Sequence, residues 1–331
     1  MEQKVLRTGT MVVVCAILLR LASGMVDSFS ISLSPKIASF MIFMQTGRVI
    51  RPGNISFSPP PTEPTVETEP VILPQPPPTE PDRPVFSPEE ADAITVSSGF
   101  SYTADLPELL TRPLTWDLTG DEPKVLIVHS HGSESFAPTG AYQETTPYHT
   151  LNTDYNMISV GAYVAERLEE AGISVLHDTA LHDEPSYNAA YNNSRKSVQA
   201  YLQAYPSICL VLDLHRDSYE DEAGNQLVHT VFSQGTTVAP LMLVVGTDYG
   251  GLEHPNWQEN LSLALKLQTQ LEAICPGICR NINLRTQRFN QDLSPGAMLV
   301  EVGASGNTRQ EALRAAEVLV KGILSLAHGS G

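Results

Sequence analysis

The stretch Val125-Leu-Ile-Val-His-Ser-His-Gly-Ser-Glu-Ser-Phe136 joins a short apolar run directly to a polar cluster. An apolar run of this length is typical of a strand buried on both faces. Further runs of this kind follow at residues 173–176, 208–212, 241–245 and 298–302. Because segments with helical spacing alternate with these runs, the sequence predicts an α/β domain with a mostly parallel sheet flanked by helices.

Three of the predicted helices have a clear apolar face. These faces contain Met157, Val160, Val164 and Leu168; Leu261, Ala264, Leu265 and Leu271; and Leu313, Ala316 and Val320. Ahead of the third helix, Asn307 and Gln310 have the spacing of a helix cap and its reciprocal partner, which predicts a helix start there.

Polar residues follow three of the predicted strands. The strand ending at Val128 leads to His131 and Glu134, the strand ending at Leu212 leads to His215, and a third strand runs through Glu301. Ligands gather beyond the carboxyl ends of the strands in open parallel sheets. We therefore expect these side chains to meet in the fold, although they are far apart along the chain.

Imidazoles together with carboxylates are the donors of a catalytic zinc site that keeps one position open. His131, Glu134 and His215 are the predicted ligands, and Asp154 is the alternative to Glu134. Since zinc lowers the pKa of bound water, Glu301 is the predicted general base. A buried carboxylate without a partner is costly, which also favours a functional reading of Glu301.

Residues next to the predicted ligands have supporting roles in this interpretation. Arg216 is placed to steady an oxyanion or a substrate carboxylate. His129, Asp213 and Asp217 are candidates to orient the imidazoles through their second ring nitrogen.

The first third of the chain has a different composition from the rest. Lys4 and Arg7 precede an apolar run at residues 11–19, the order of a signal-anchor segment. The alternative is a signal peptide cleaved near Ala22-Ser23-Gly24. The predicted organisation is an N-terminal signal-anchor at 1–25, a juxtamembrane region at 26–50, a Pro-rich disordered linker at 51–96 and a catalytic domain at 97–331. Either reading exports the domain; the anchor would make it a single-pass protein of the cell membrane, with its catalytic domain extracytoplasmic.

Charge and cysteine content narrow the possible functions. The chain has 20 Lys and Arg against 37 Asp and Glu, a net charge of -17, which argues against nucleic-acid binding because phosphates are neutralised by clustered cations. Cys275 and Cys279 are close enough in sequence for a disulfide, but spacing alone leaves this open.

Several further motifs carry a resemblance to a known family. They are His182-Asp-Glu-Pro-Ser-Tyr-Asn188, Tyr191-Asn-Asn-Ser-Arg195, Asp213-Leu-His-Arg-Asp-Ser218, His254-Pro-Asn-Trp-Gln-Glu-Asn260, Arg288-Phe-Asn-Gln-Asp-Leu293, Leu299-Val-Glu-Val-Gly303 and Gly306-Asn-Thr308. Together with the stretch at 125–136, they resemble the stage II sporulation protein P family over about residues 96 to 327. The resemblance is specific because unlike motifs occur in the same order.

This resemblance implies a zinc-dependent N-acetylmuramoyl-L-alanine amidase with a fold similar to that of zinc amidases and carboxypeptidases. The family hydrolyses peptidoglycan, cutting the amide between the muramic acid lactyl group and L-alanine, and also acts as an endopeptidase on peptide cross-links. It works beside stage II sporulation proteins D and M at the sporulation septum during engulfment.

Carried over to this chain, the resemblance places ligand histidines at His131 and His215 and the catalytic glutamate at Glu301. Carboxypeptidase-like spacing favours Glu134 as the third ligand, and the amidase pattern lies nearer Asp154. Two other functions stay open: a non-catalytic peptidoglycan-binding scaffold, and a zinc carboxypeptidase or protease.

Overall fold

A computed structural model describes residues 84–328, except residues 115, 141 and 143–147. The predicted signal-anchor, the juxtamembrane region and most of the linker lie outside the described residues. Within the described ranges, no helix is long and apolar enough to cross a membrane. Residues 84–96, at the end of the predicted linker, are described and include a 3-10 helix at Pro88–Ala93.

Nine strands and five α-helices make up the described part of the chain. The strands are β1 (Val96–Ser98), β2 (Val125–Val128), β3 (Val175–His177), β4 (Leu210–Asp217), β5 (Val231–Ser233), β6 (Thr236–Val238), β7 (Leu241–Gly246), β8 (Ile282–Arg285) and β9 (Ala297–Ala304). The helices are α1 (Leu106–Thr111), α2 (Met157–Glu170), α3 (Ala190–Ala204), α4 (Trp257–Ile274) and α5 (Arg309–His328). Short 3-10 helices lie at Pro88–Ala93, Tyr187–Ala189 and Gln291–Leu293.

Seven strands form one sheet in the order β1-β8-β7-β9-β4-β2-β3, and β5 pairs with β6 in a separate hairpin. All neighbours in the seven-stranded sheet are parallel except β7 and β9, which are antiparallel. The predicted α/β fold with a mostly parallel sheet is therefore confirmed.

The two faces of the sheet are covered unequally. Helices α2, α4 and α5 bury the main core against one face, where Leu212 and Leu214 of β4 point. Helix α3 covers part of the other face through Val198, which packs with Val211. Since side chains alternate along a strand, Asp213 and His215 share the second face with Val211.

The structure changes some of the predicted boundaries. Strand β4 continues to Asp217 rather than ending at Leu212, so its polar residues lie inside the strand and not beyond it. The cap of α5 is one residue later than predicted: the backbone N–H of Thr308 donates to the Glu311 carboxylate at 2.9 Å, and the Glu311 N–H donates to Thr308 Oγ1 at 3.2 Å. Cys275 and Cys279 are free thiols.

Candidate functional site

The structure brings His131, Glu134, His215 and Glu301 together on the face of the sheet shared with α3. His215 and Glu301 are register partners on the neighbouring strands β4 and β9. His131 and Glu134 lie in the loop after β2, and the rings of His131 and His215 have centroids 5.4 Å apart. Three of the four side chains are buried, with exposed fractions of 7% for His131, 5% for Glu134 and 3% for His215.

His215 is held between two carboxylates. Its Nε2 lies 2.9 Å from Asp213 Oδ1, and its Nδ1 lies 3.5 Å from Glu134 Oε2. Asp213 is fixed in turn by Ser130, whose backbone N–H donates at 2.8 Å and whose hydroxyl donates at 2.6 Å. Burial alone would lower the pKa of His215, but the Asp213 and Glu134 carboxylates outweigh it and raise this pKa well above its usual value.

Arg216 fixes Glu134 and the loop around it. The guanidinium of Arg216 donates from Nε to the carbonyl of Ser135 at 3.0 Å and from its second terminal nitrogen to the carbonyl of Tyr148 at 2.7 Å. The Arg216 backbone N–H donates to Glu134 Oε2 at 3.2 Å. Burial raises the pKa of Glu134, but His215 and Arg216 outweigh it, so Glu134 is ionised. The predicted contact of Arg216 with substrate stays a prediction.

Two tyrosines form a wall beside the imidazoles. Tyr187 stacks on His131 with ring centroids 4.0 Å apart, and Tyr191 lies nearly parallel to His215 at 6.2 Å. Burial and the neighbouring His215 lower the pKa of His131, so His131 is neutral and can offer a lone pair. The functional reading of the sequence missed both tyrosines, although they lie in two of the motifs that carry the family resemblance.

Glu301 is a carboxyl in an apolar strand, as the sequence suggested. Its Oε2 is buried without a hydrogen-bond partner among the described residues. Burial raises the pKa of Glu301; protonated His215 opposes this, while Glu134 and Asp217 raise the pKa further. Glu301 is thus a proton-holding group beside two fixed imidazoles.

The alternative ligand and two of the predicted supporting residues lie at three different positions. Asp154, the alternative ligand, is exposed, whereas Glu134 is buried beside His215. His129 contacts the Leu214 carbonyl at 3.0 Å and His177 Nε2 at 2.9 Å, not a predicted ligand. Asp217 pairs with Arg280 at 2.7 Å at the rim of the cluster. Of the three residues predicted to orient the imidazoles, Asp213 is therefore the one that lies against a predicted ligand.

The side chains of the cluster are of the types that bind zinc. Among the described residues, no set of three or more His, Cys, Asp or Glu side chains is arranged to hold a metal ion. The donor types nevertheless fit zinc: Nδ1 of His131 and Nε2 of His215 are buried without a hydrogen-bond partner, and Nδ1 of His215 faces the Glu134 carboxylate. A buried imidazole nitrogen left unpaired costs free energy that a bound cation would recover.

The fold and the cluster define an α/β protein with a buried site of imidazoles and carboxylates on one face of a mostly parallel sheet. The model of the family described as Stage II sporulation protein P (SpoIIP) matches residues 63–324. This chain belongs to the stage II sporulation protein P family.

Relatives agree with this assignment. Stage II sporulation protein P of Bacillus subtilis (strain 168) is 28% identical over 209 residues, which cover 60% of this chain and 49% of that protein. The chain thus spans about half the length of the curated relative it matches.

Solved structures of amidases are also similar. N-acetylmuramoyl-L-alanine amidase AmiC2 of Nostoc punctiforme has 17% identity and a TM-score of 0.37, covering 62% of this chain and 98% of that one. The amidase from Clostridium difficile 630 has 16% identity and a TM-score of 0.35, covering 64% and 100%.

Proposed function

We propose that this chain is a zinc-dependent peptidoglycan hydrolase acting outside the cytoplasm, and that it cleaves the amide between the muramic acid lactyl group and L-alanine. The observation that carries the proposal is a set of three buried polar atoms on one face of the sheet that have no hydrogen-bond partner among the described residues: Nδ1 of His131, Nε2 of His215 and Oε2 of Glu301. Membership of a sporulation family supports the cell wall of a spore-forming bacterium as the substrate.

In this proposal His131, Glu134 and His215 hold the metal. Zinc, when bound, polarises the amide carbonyl and lowers the pKa of water. The Asp213 carboxylate lies 2.9 Å from Nε2 of His215, and Nδ1 of the same ring faces Glu134, so the two carboxylates set the orientation of the imidazole. Arg216 is a positioning residue, because its contacts fix both the Glu134 carboxylate and the loop carbonyls beside it.

Glu301 is the proposed general base and acid. It accepts a proton from the attacking water and delivers that proton to the leaving nitrogen of the cleaved amide. A raised pKa suits both steps, since a carboxyl that titrates nearer neutrality can both take and return a proton at the working pH. The Tyr187 and Tyr191 rings limit the access of water on the side of α3.

The finer parts of the proposal come from the family resemblance. They are endopeptidase cleavage of peptide cross-links, partnership with stage II sporulation proteins D and M, attachment to the membrane through residues 1–25, and action at the sporulation septum during engulfment. The -17 net charge of the chain fits the absence of nucleic acid from this set of partners.

The test is mass spectrometry of the products released from purified peptidoglycan by the full-length chain. Free stem peptides and peptide-free glycan are expected from the wild type with zinc, and neither product is expected with chelator. Glu301→Gln keeps the size of the side chain and removes the base, so a loss of at least about 100-fold in rate is expected. Glu166→Gln, an exposed residue of α2, is the matched control and should be fully active.

Intact peptidoglycan with the zinc-loaded wild type, in the presence of protein D, would overturn the proposal and favour a binding role. Products cut within the stem peptide alone would indicate a carboxypeptidase or endopeptidase instead of an amidase.

A further inference from the structure

A row of hydrogen-bonded side chains leads from Asp213 away from the candidate site to the loop after β8. It runs through Ser130 and Ser194 and ends at Asn290. Ser130 and Ser194 are fully buried, and Asn290 is half-buried. Each of the four residues belongs to a different motif of the sequence, and neither Ser194 nor Asn290 has a part in the proposed hydrolysis. We name these four residues the serine network.

The direction of the hydrogen bonds in the serine network follows from its acidic end. Asp213 Oδ1 accepts the backbone N–H of Ser130 and faces Nε2 of His215, as an ionised carboxylate does. The Ser130 hydroxyl donates its single proton to Asp213 Oδ2 at 2.6 Å. The 2.7 Å contact between the Ser130 and Ser194 oxygens must therefore use the proton of Ser194. If Ser194 donated instead to the Tyr191 carbonyl, which is 3.4 Å away, no proton would lie between the two serine oxygens.

Asn290 supplies the first donor of the serine network, and its neighbours determine which end of its amide faces Ser194. The Tyr191 carbonyl, 2.9 Å away, can only accept, so the Asn290 atom facing it is the amide nitrogen. The same nitrogen donates its second hydrogen to Ser194 Oγ at 3.1 Å. Asn290 Oδ1 accepts from Arg195 at 3.4 Å, and Arg195 pairs with both oxygens of Asp292 at 2.8 and 2.7 Å. All the donors therefore point from the arginine towards the carboxylate in the site.

The serine network holds both oxygens of the Asp213 carboxylate. Oδ1 accepts the Ser130 backbone N–H at 2.8 Å, and Oδ2 accepts the Ser130 hydroxyl, so the carboxylate is fixed at two points. Oδ1 is also the oxygen that lies 2.9 Å from Nε2 of His215. Hydrogen bonds that point the same way strengthen one another, and an unpaired member of a buried network is costly. Ser194 therefore contributes to the orientation of His215, although two side chains separate them.

We propose that Ser194 and Asn290 are positioning residues of the zinc site, which act on His215 through Ser130 and Asp213. The inference rests on the proposed function and adds to it two residues that determine how tightly His215 holds the metal. Groups that orient an imidazole ligand contribute to metal affinity. Loss of either residue should therefore weaken zinc binding itself, before any catalytic step.

The test measures the zinc Kd of the full-length protein by competition with a fluorescent zinc chelator. Ser194→Ala removes the proton that the Ser130 oxygen receives, so the Kd should rise about tenfold, the lower end of the range for groups that orient metal ligands. Ser130→Ala should raise the Kd by at least as much. In the Ser130→Ala background, Ser194→Ala should have no further effect, because its effect passes through the Ser130 hydroxyl. Asn290→Gly keeps a residue that tolerates the φ of 59° and should also raise the Kd.

Ser262→Ala is the matched control. The Ser262 hydroxyl is also buried and also both accepts and donates, from Lys266 at 2.7 Å and to the Leu109 carbonyl at 2.6 Å, but it joins α4 to α1. Ser262→Ala should lower the urea midpoint of the metal-free protein, as Ser194→Ala does, and leave the zinc Kd unchanged.

Three results would overturn the inference: an unchanged zinc Kd in both Ser194→Ala and Asn290→Gly, an equal rise in Ser262→Ala, or an undiminished effect of Ser194→Ala in the Ser130→Ala background. A zinc-loaded wild type that releases no products, with the Kd differences intact, would instead remove the proposed activity and leave the positioning role. A wild type that binds no zinc would overturn both.

Discussion

Asp213→Asn tests the buried pair that orients His215. The substitution keeps the shape of the side chain and an acceptor for the Ser130 N–H at 2.8 Å, but it removes the charge 2.9 Å from His215 Nε2. Both side chains are buried, and breaking a buried pair by neutralising one partner costs about 3–5 kcal/mol. Because His215 can respond by releasing its proton, we expect the lower end, about 3 kcal/mol, or a Tm lower by about 6–12 °C.

Urea unfolding of the chelator-treated protein, followed by circular dichroism, measures this loss. Burial raises the pKa of Asp213, but His215 and Ser130 outweigh it and lower this pKa. The stability that the Asp213 charge contributes is therefore full above about pH 4 and is lost as the pH falls further. Because the pKa of His215 is raised in the folded state, the stability that its protonated ring contributes is full below about pH 6.5. That stability is lost as the pH rises through the folded-state pKa. The difference between wild type and variant should therefore be largest between about pH 4 and 6.5.

Asp154→Asn is the control, since the same chemical change at an exposed position should alter the free energy of unfolding by less than about 0.5 kcal/mol. A loss below about 1 kcal/mol for Asp213→Asn, or a difference independent of pH, would refute the reasoning.

Three further predictions concern other buried positions. Gly161→Ala should lower the free energy of unfolding in urea by about 1–3 kcal/mol, because the new Cβ would lie 2.3 Å from His129 Nε2. Helix propensity alone predicts the opposite, a gain of about 1 kcal/mol, and such a gain would contradict this packing. Burial raises the pKa of Asp178, but hydrogen bonds from His182 and Ser197 outweigh it and lower this pKa to about 2. The wild type should therefore lose stability as the pH falls from about 4 to 2, and Asp178→Asn should remove that pH-dependent stability. Identical acid unfolding curves for the two proteins would contradict this prediction. Burial lowers the pKa of Lys266 to about 8. Between about pH 8 and 10.4 the unfolded chain binds more protons than the folded chain, so wild-type stability should rise with pH across this range. Lys266→Met should flatten that rise in urea midpoints measured at each pH.

Four of the five strands that the sequence predicted, β2, β4, β7 and β9, are buried on both faces. Strands β2 and β7 are continuous apolar runs, and Glu301 alone interrupts the run of β9, because helices or neighbouring loops cover both sides of these strands. Strand β8 was missed because its second face carries Asn283 and Arg285, which break the apolar run. Helix α3 was missed because only three of its residues, Ala190, Ser194 and Val198, are buried, so its apolar face is narrow.

The sequence predicted the residues of the candidate site only in part. Residue types identified His131, Glu134, His215 and Glu301, and the structure places all four on one face of the sheet. Sequence could not choose between Glu134 and Asp154, because that choice depends on how the loop after β2 folds back. The contacts of Arg216 with the carbonyls of Ser135 and Tyr148 determine that folding, and they join residues more than 60 positions apart.

The position of the polar residues inside β4 and β9, instead of beyond the strand ends, affects how rigid the site is. His215 and Glu301 belong to strands that are hydrogen-bonded on both sides, so their backbones are fixed whatever the state of their side chains. His131 and Glu134 lie on a loop, and their positions depend on side-chain contacts such as that of Ser133 Oγ with Asp183 Oδ2 at 2.6 Å. A ligand bridging His131 and His215 would join the loop to the sheet, so the free energy of ligand binding would be coupled to the ordering of the loop, with little change in the strands.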